Sequence, residues 1–240
     1  MDKWIRTQAL IGQQGLKKLK NAHVIIAGLG GVGGFCLEAI ARAGVGRLTI
    51  IDGDTIAPSN LNRQLLALES TIGQSKVAVA QGRLMAINPH LNLTALQQRI
   101  TPENIRDLLP ETADYLLDCI DDIPAKLALA AYCKEQKIPL LMCMGTGNRL
   151  STQGLKIANF DETEGCPLAK KLRLTLRKQG YRKLRVLYSN DPVTPLFPVE
   201  DGGKATVGSI SFVPSAAGLK LAEHAINRLL MGETAQDIPR

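Results

Sequence analysis

The chain of 240 residues predicts an α/β protein built on a doubly wound, mostly parallel sheet. Three observations predict it. Apolar runs recur at residues 24–27, 48–51 and 115–120, as expected of strands buried on both faces. Stretches with helical periodicity separate them, the alternation that builds parallel sheets. A G-x-G-x-x-G turn, Gly28, Gly30 and Gly33, leads from the first run straight into the first helical stretch.

Taken in order, residues 1–20 read as an amphipathic leading segment, and residues 21–145 as the core that holds a nucleotide. Within that core, helices are expected over residues 76–85, 101–109 and 125–136. Thr101 is placed as N-cap of the second, with Pro102 at its first position. Residues 146–232 form the substrate-binding part. It holds a basic helix, a Pro/Gly-rich loop at 191–203 that reads as a mobile lid, a strand at 209–213 and a helix at 215–230. Residues 233–240 read as a frayed tail. This length suits one domain with one large core, and no apolar run approaches the roughly 20 residues that span a bilayer.

The chemistry starts at the glycine turn. Gly28, Gly30, Gly31 and Gly33 let the backbone approach phosphate, and the helix that follows offers free N–H groups and its positive dipole end. Asp52, about 20 residues past the glycines, is placed to accept hydrogen bonds from ribose hydroxyls. A dehydrogenase would next supply groups for adenine and nicotinamide. This chain supplies Asn60, Arg63, Gln64 and then Lys76, and paired cations suit a triphosphate under attack at phosphorus. Asp121, at the carboxyl end of the 115–120 strand, can hold Mg²⁺ carried by that triphosphate.

The segments GLGGVG, IDGDTIAPSNLNRQ, GQSKVAVAQGRLMAINP and DCIDD together resemble the E1-like adenylyltransferases, the ThiF, MoeB and HesA superfamily, over roughly residues 5–160. The resemblance implies a Rossmann-like E1-type adenylation fold and ATP-dependent adenylation of a carboxylate. By motif position, Asp52 would hold the ribose, and Asn60, Arg63 and Lys76 the phosphates. Asp121 would bind Mg²⁺, and Gly31, Asp54 and Gln64 complete the nucleotide-binding set. It also implies a homodimer in which Arg6 reaches the partner's site. Residues 165–189 and 208–226 look like the branch that dehydrates threonylcarbamoyladenosine in tRNA, closing it to its cyclic form with ATP. Members of that branch carry a cysteine-rich insert where this chain has VTPLFPVEDGGKATV, so no role of that insert carries over.

Charge points the same way. The formal net charge is +7, and residues 165–190 hold eight Lys or Arg and no Asp or Glu, which leaves −1 for the rest. Leu168, Leu172 and Leu176 mark the buried side of a helix. Lys170, Lys171, Arg173, Arg177 and Lys178, followed by Arg182 and Lys183, cover much of the remainder. A run without acids makes no internal salt bridges, so nucleic-acid contact, here with tRNA, is favoured over a merely solvated face.

The five cysteines form no C-x-x-C pair, so a four-thiolate zinc site is not expected, and an odd count without a signal peptide suggests a reducing cytoplasm. Packing is the default for Cys36, Cys119, Cys133 and Cys143. Cys166, beside the cations, is the one candidate for a reactive thiol. His23, His90 and His224 lack companions at metal spacing and read as structural or solvated.

A sulfur-transfer or electron-handling protein is a further candidate partner of the chain. Two other functions fit parts of the chain. One is an adenylyltransferase for a ubiquitin-like sulfur carrier of the thiamin or molybdopterin type, which would need a docking groove for a C-terminal Gly-Gly tail and be indifferent to tRNA. The other is an NAD-binding or non-catalytic module, against which Arg63, Lys76 and Asp121 argue.

Overall fold

The computed structural model describes residues 3–195, 197 and 207–232. The leading segment is helix α1 (Ile5–Asn21), bent at Gly12, whose φ of 74° interrupts the helical run. The first β-α-β unit follows as β1 (His23–Ala27), α2 (Gly33–Ala43) and β2 (Arg47–Ile51). Then come α3 (Lys76–Ile87), β3 (Asn92–Leu96), the one-turn α4 (Ile105–Leu108), β4 (Tyr115–Asp118), α5 (Ile123–Gln136) and β5 (Leu140–Cys143). The second half adds β6 (Leu155–Asn159), α6 (Pro167–Lys178), β7 (Arg185–Ser189) and α7 (Phe212–Met231).

The strands form one seven-stranded sheet in the order β3-β2-β1-β4-β5-β7-β6. All neighbours are parallel except β6, which runs antiparallel to β7. The chain steps outward from β1 to β2 and β3, then returns to lay β4 on the other side of β1. Such a reversal opens a crevice at the carboxyl ends of the strands. Ala27 pairs with both Ile51 and Asp118, so the ends of β1, β2 and β4 sit side by side there.

The sheet is covered on both faces. Val24, Ile26, Leu48 and Ile50 pack with Cys36, Ile40, Val77, Leu84, Ala217 and Leu221 beneath α2, α3 and α7. Ile25, Ala27, Ile51, Leu116 and Met142 pack with Leu129, Cys133, Leu172 and Leu176 beneath α5 and α6. The two-residue alternation along β1 thus feeds both layers, which is why the strand is apolar throughout. His23 sits inside the structure, its Nε2 2.9 Å from Thr49 Oγ1, and His224 packs edge-on against Tyr115, so both are structural. No described helix is long and apolar enough to cross a membrane.

Several boundaries differ from the sequence expectation. The strand expected over 115–120 ends at Asp118, whose Oδ1 accepts a hydrogen bond from Ile120 N (3.0 Å) and turns the chain out of the ladder. The helix expected over 101–109 shrinks to α4. Asn104 closes a turn ahead of it, accepting from Thr101 N (2.8 Å) and donating to Arg99 O (2.9 Å). The strand expected at 209–213 does not form. Val213, Ala217 and Leu221 are fully buried at helical spacing, so α7 begins at Phe212. Strands β3, β6 and β7 were not anticipated. β3 and β6 are sheet edges with mixed, half-exposed patterns. Most of the expected 191–203 lid and all of the 233–240 tail lie outside the described residues.

One feature of the core is ionic. Lys126 and Asp118 are both fully buried and 2.8 Å apart, and Lys126 also donates to Cys143 O (2.7 Å). Burial pushes the Asp118 carboxyl up, against the pull of Lys126. Removing one partner of such a pair strands the other charge, so Lys126→Met is expected to cost about 3–5 kcal/mol in urea unfolding, part of it recovered by adding Asp118→Asn. A loss below about 1 kcal/mol, the scale of an exposed pair, would show that Asp118 is not held by this lysine.

Candidate active site

The crevice at the ends of β1, β2 and β4 is shaped first by backbone. Gly28 leaves β1 with φ of 88°, and a Cβ there would lie 2.9 Å from the Cys119 backbone. A Cβ on Gly33 would lie 1.8 Å from Gly28 O. Neither position admits a side chain, so the turn folds tightly over the seam between β1 and β4. Gly31 lies under Pro214, 3.2 Å from where its Cβ would be. Gly30 differs: a Cβ there would meet nothing within 4 Å. No side chain caps α2; Gly34 N donates to Gly30 O (3.0 Å), and the amides of Val32 and Gly33 have no described hydrogen-bond partner and can serve a ligand. The open space over Gly30 beside these amides fits a phosphate chain.

Asp52 follows β2 directly and is buried. Its two oxygens accept from Leu29 N (2.6 Å) and Asp54 N (2.8 Å), so it fastens the glycine turn to the end of β2. A carboxylate retains further lone pairs for ribose hydroxyls. Lys76 opens α3, whose N-cap Ser75 accepts from Ala78 N. The Lys76 side chain is only 7% exposed, with Nζ 3.0 Å from Asp54 Oδ2 and 3.9 Å from Asp52 Oδ2. Arg99 reaches the other Asp54 oxygen at 2.6 Å. Partial burial would raise the Asp54 carboxyl, but Lys76 and Arg99 together hold it below its usual range.

Asn60 closes a short turn, its Oδ1 accepting from Ala57 N (3.1 Å), and Arg63 donates to Ser59 O (2.7 Å) and Asn62 Oδ1 (2.9 Å). The Arg63 stem approaches within 3.5 Å of the Cβ position of Gly31, beside the turn. Gln64 is buried, and its Oε1 has no hydrogen-bond partner. The three aspartates of DCIDD separate by role. Asp118 holds Lys126, Asp122 caps α5 through Ala125 N (2.9 Å), and Asp121 is exposed without a described hydrogen bond or ion pair. Asp121 is therefore the carboxylate free to meet a cation carried by a ligand. Arg6 is exposed on α1.

The basic helix is present, with Leu172 and Leu176 buried and Leu168 half-buried. Two of its arginines have partners within the protein. Arg173 turns inward and donates to Thr163 O and Oγ1, and Arg177 pairs with Asp161 (2.6 Å). The acid comes from outside the run, which is why sequence proximity did not reveal it. Lys170, Lys171, Lys178, Arg182 and Lys183 remain exposed without a described acidic partner. The reactive-thiol reading of Cys166 is corrected. Cys166 is 5% exposed, packed with Phe160, Leu172 and Tyr188. Hydrogen bonding with the free Cys36 thiol, together with burial, raises the Cys119 thiol well above the usual range. The sequence reading missed Arg99, Asp118 and Lys126. Asp118 stood in the DCIDD segment, but nothing local marked the two cations.

The chain belongs to the ThiF family, whose model matches residues 4–236. It is 37% identical to the tRNA threonylcarbamoyladenosine dehydratase of Bacillus subtilis over 94% of this chain and 93% of that protein. It is 32% identical to the dehydratase of Escherichia coli, over 93% and 92%. A molybdopterin-synthase adenylyltransferase of Salmonella typhimurium is 33% identical over 88% of this chain and 77% of its own. Among solved structures, the E. coli dehydratase TcdA in complex with ATP superposes with a TM-score of 0.87 at 29% identity, covering 96% of this chain and 94% of that one.

Gly30→Ala is expected to leave thermal unfolding unchanged, because the added Cβ meets no protein atom. It should weaken ATP binding by about tenfold or more, as expected when the phosphates forfeit a charge-assisted hydrogen bond. Unchanged affinity by calorimetry would place the phosphates elsewhere.

Proposed function

We propose that this protein dehydrates threonylcarbamoyladenosine in tRNA to its cyclic form, activating the carboxylate with ATP. The observation that carries the reading is the extent of the likeness in both directions. The dehydratases of B. subtilis and E. coli align over 94% and 93% of this chain and 93% and 92% of their own, whereas the S. typhimurium molybdopterin-synthase adenylyltransferase aligns over 88% of this chain and 77% of its own, and the ThiS adenylyltransferase of E. coli, though 41% identical, over 58% of this chain. The exposed lysines around α6 add an electrostatic surface suited to tRNA. The whole chain acts as one adenylation domain, and a reducing cytoplasm suits its five free cysteines.

The chemistry follows from the substrate. A carboxylate cannot expel oxide. Attack of the threonyl carboxylate on the α-phosphate of ATP expels pyrophosphate and gives an acyl-adenylate, from which AMP departs readily. The carbamoyl group of the same side chain then closes on the activated carbonyl. Closure needs alignment more than a strong base, since effective molarities of aligned cyclisations reach about 10⁵–10⁸ M. No covalent enzyme intermediate is needed, in keeping with the burial of Cys166. In this reading the α2 amides cradle phosphate, Asp52 accepts from the ribose, and Asn60, Arg63 and Lys76 offset charge developing at phosphorus. Gln64 belongs to the nucleotide-binding set, though its Oε1 is buried and has no described partner. Asp121 holds Mg²⁺, which when bound neutralises phosphate charge. Arg6 acts across a homodimer.

ATP consumption and pyrophosphate release, measured with tRNA carrying threonylcarbamoyladenosine against unmodified tRNA, test this directly. Turnover with loss of one water from the modified nucleoside by mass spectrometry is expected. Pyrophosphate exchange indifferent to tRNA would move the assignment to a sulfur-carrier adenylyltransferase. Replacing Lys170, Lys171, Lys178 and Lys183 with Ala should weaken tRNA binding and lower its salt slope by about one for each phosphate no longer neutralised, leaving ATP affinity unchanged.

A further inference from the structure

Asp54 stands between two cations. Its Oδ2 is 3.0 Å from Lys76 Nζ, and its Oδ1 is 2.6 Å from Arg99 Nη2. The cations differ in surroundings: the Lys76 side chain is 7% exposed and that of Arg99 79%. The Arg99 backbone is anchored, since Asn104 donates to its carbonyl and its N lies 2.8 Å from where a Cβ on Gly53 would sit. Its guanidinium is thereby delivered to Asp54 from the end of β3. Asp52 is the looser partner of Lys76, at 3.9 Å, with both its oxygens receiving backbone N–H groups.

The two carboxylates and two cations balance one another. A triphosphate upsets that balance. Lys76 shares its charge with Asp54 when it serves the phosphates, and an uncompensated Asp54 would both hold Lys76 back and repel the incoming charge. We infer that Arg99 is a positioning residue for the nucleotide: by neutralising Asp54 at the rim of the site, it releases Lys76 to ATP. The inference rests on the reading that Lys76 contacts the phosphates. Arg99 does not itself touch ATP. Its exposure allows it to hold Asp54 while the buried lysine changes partner.

The test is calorimetric titration of ATP into the full-length protein and four variants, with steady-state kinetics alongside. Arg99→Ala should weaken ATP binding about three- to tenfold, the scale of a partly exposed ion pair, raising KM with kcat within about twofold. Arg99→Lys should keep most of the affinity. Asp54→Asn added to Arg99→Ala should return the affinity toward wild type, since no carboxylate then remains to be neutralised. Lys76→Ala is the control for the underlying site and should abolish measurable binding. Wild-type affinity in Arg99→Ala, with binding lost in Lys76→Ala, would overturn the inference and leave the site standing. A double variant as weak as Arg99→Ala would mean that Arg99 acts on ATP directly, which also overturns it. Undiminished binding in Lys76→Ala would remove the site reading and the inference with it.

Discussion

The close approach of backbone to backbone at the glycine turn governs the catalytic end of this molecule. Where β1 ends, the chain must pass over Cys119 at the end of β4 with 2.9 Å between the Gly28 Cβ position and that backbone, then fold Gly33 onto Gly28 O. Only glycine satisfies both contacts. Once they are made, α2 starts directly above the β1–β4 seam, with its amides at the crevice. The constraint then propagates. A Cβ on Gly218 of α7 would lie 2.3 Å from Val32 O, and Pro214 rests on Gly31, so the C-terminal helix is seated against the first turn of α2. Asp52 completes the arrangement by tying Leu29 N to β2.

Around that frame, acidic side chains at the mouth of the sheet have been separated by their partners rather than by their sequence neighbours. Asp52 serves backbone amides, Asp54 serves Lys76 and Arg99, Asp118 is sealed with Lys126, and Asp122 starts α5. Asp121 is exposed with no described partner, Arg63 lies beside Gly31 of the turn, and Lys76 is paired with Asp54. A site of this kind neutralises a polyphosphate with groups already oriented, which is where electrostatic catalysis draws its effect.

The second half of the chain extends the same logic. Strand β7 joins β5 in parallel and β6 closes the edge antiparallel, so α6 is carried on the sheet that holds the nucleotide crevice. Arg173 and Arg177 are spent on Thr163 and Asp161, which fixes α6 to the segment before it and leaves the lysines outward. Division of a basic helix into anchoring arginines and free lysines suits the two side chains: arginine's planar fork holds defined partners, while lysine acts as a mobile point charge.

Local pattern determined a good deal of this protein. The glycine turn, the β-α-β unit ending in Asp52, the start of α3 at Lys76 and the Leu172 and Leu176 face of α6 are all written in spacing of 2, 3.6 or 20 residues, and the structure has them where that spacing put them. The rest was decided by contacts between distant segments. Arg99 meets Asp54 across 45 positions, and Arg177 meets an acid 16 residues upstream. Cys166 is buried in the same apolar cluster as Phe160 and Tyr188, and α7 begins at Phe212, where Val213, Ala217 and Leu221 are fully buried at helical spacing. Edge strands β3 and β6 exist through pairing that their half-polar sequences do not announce. Periodicity and turn chemistry act within a few residues and are legible there. The partner of a charge, the burial of a thiol and the pairing of an edge strand depend on which remote atoms the packed sheet brings within reach.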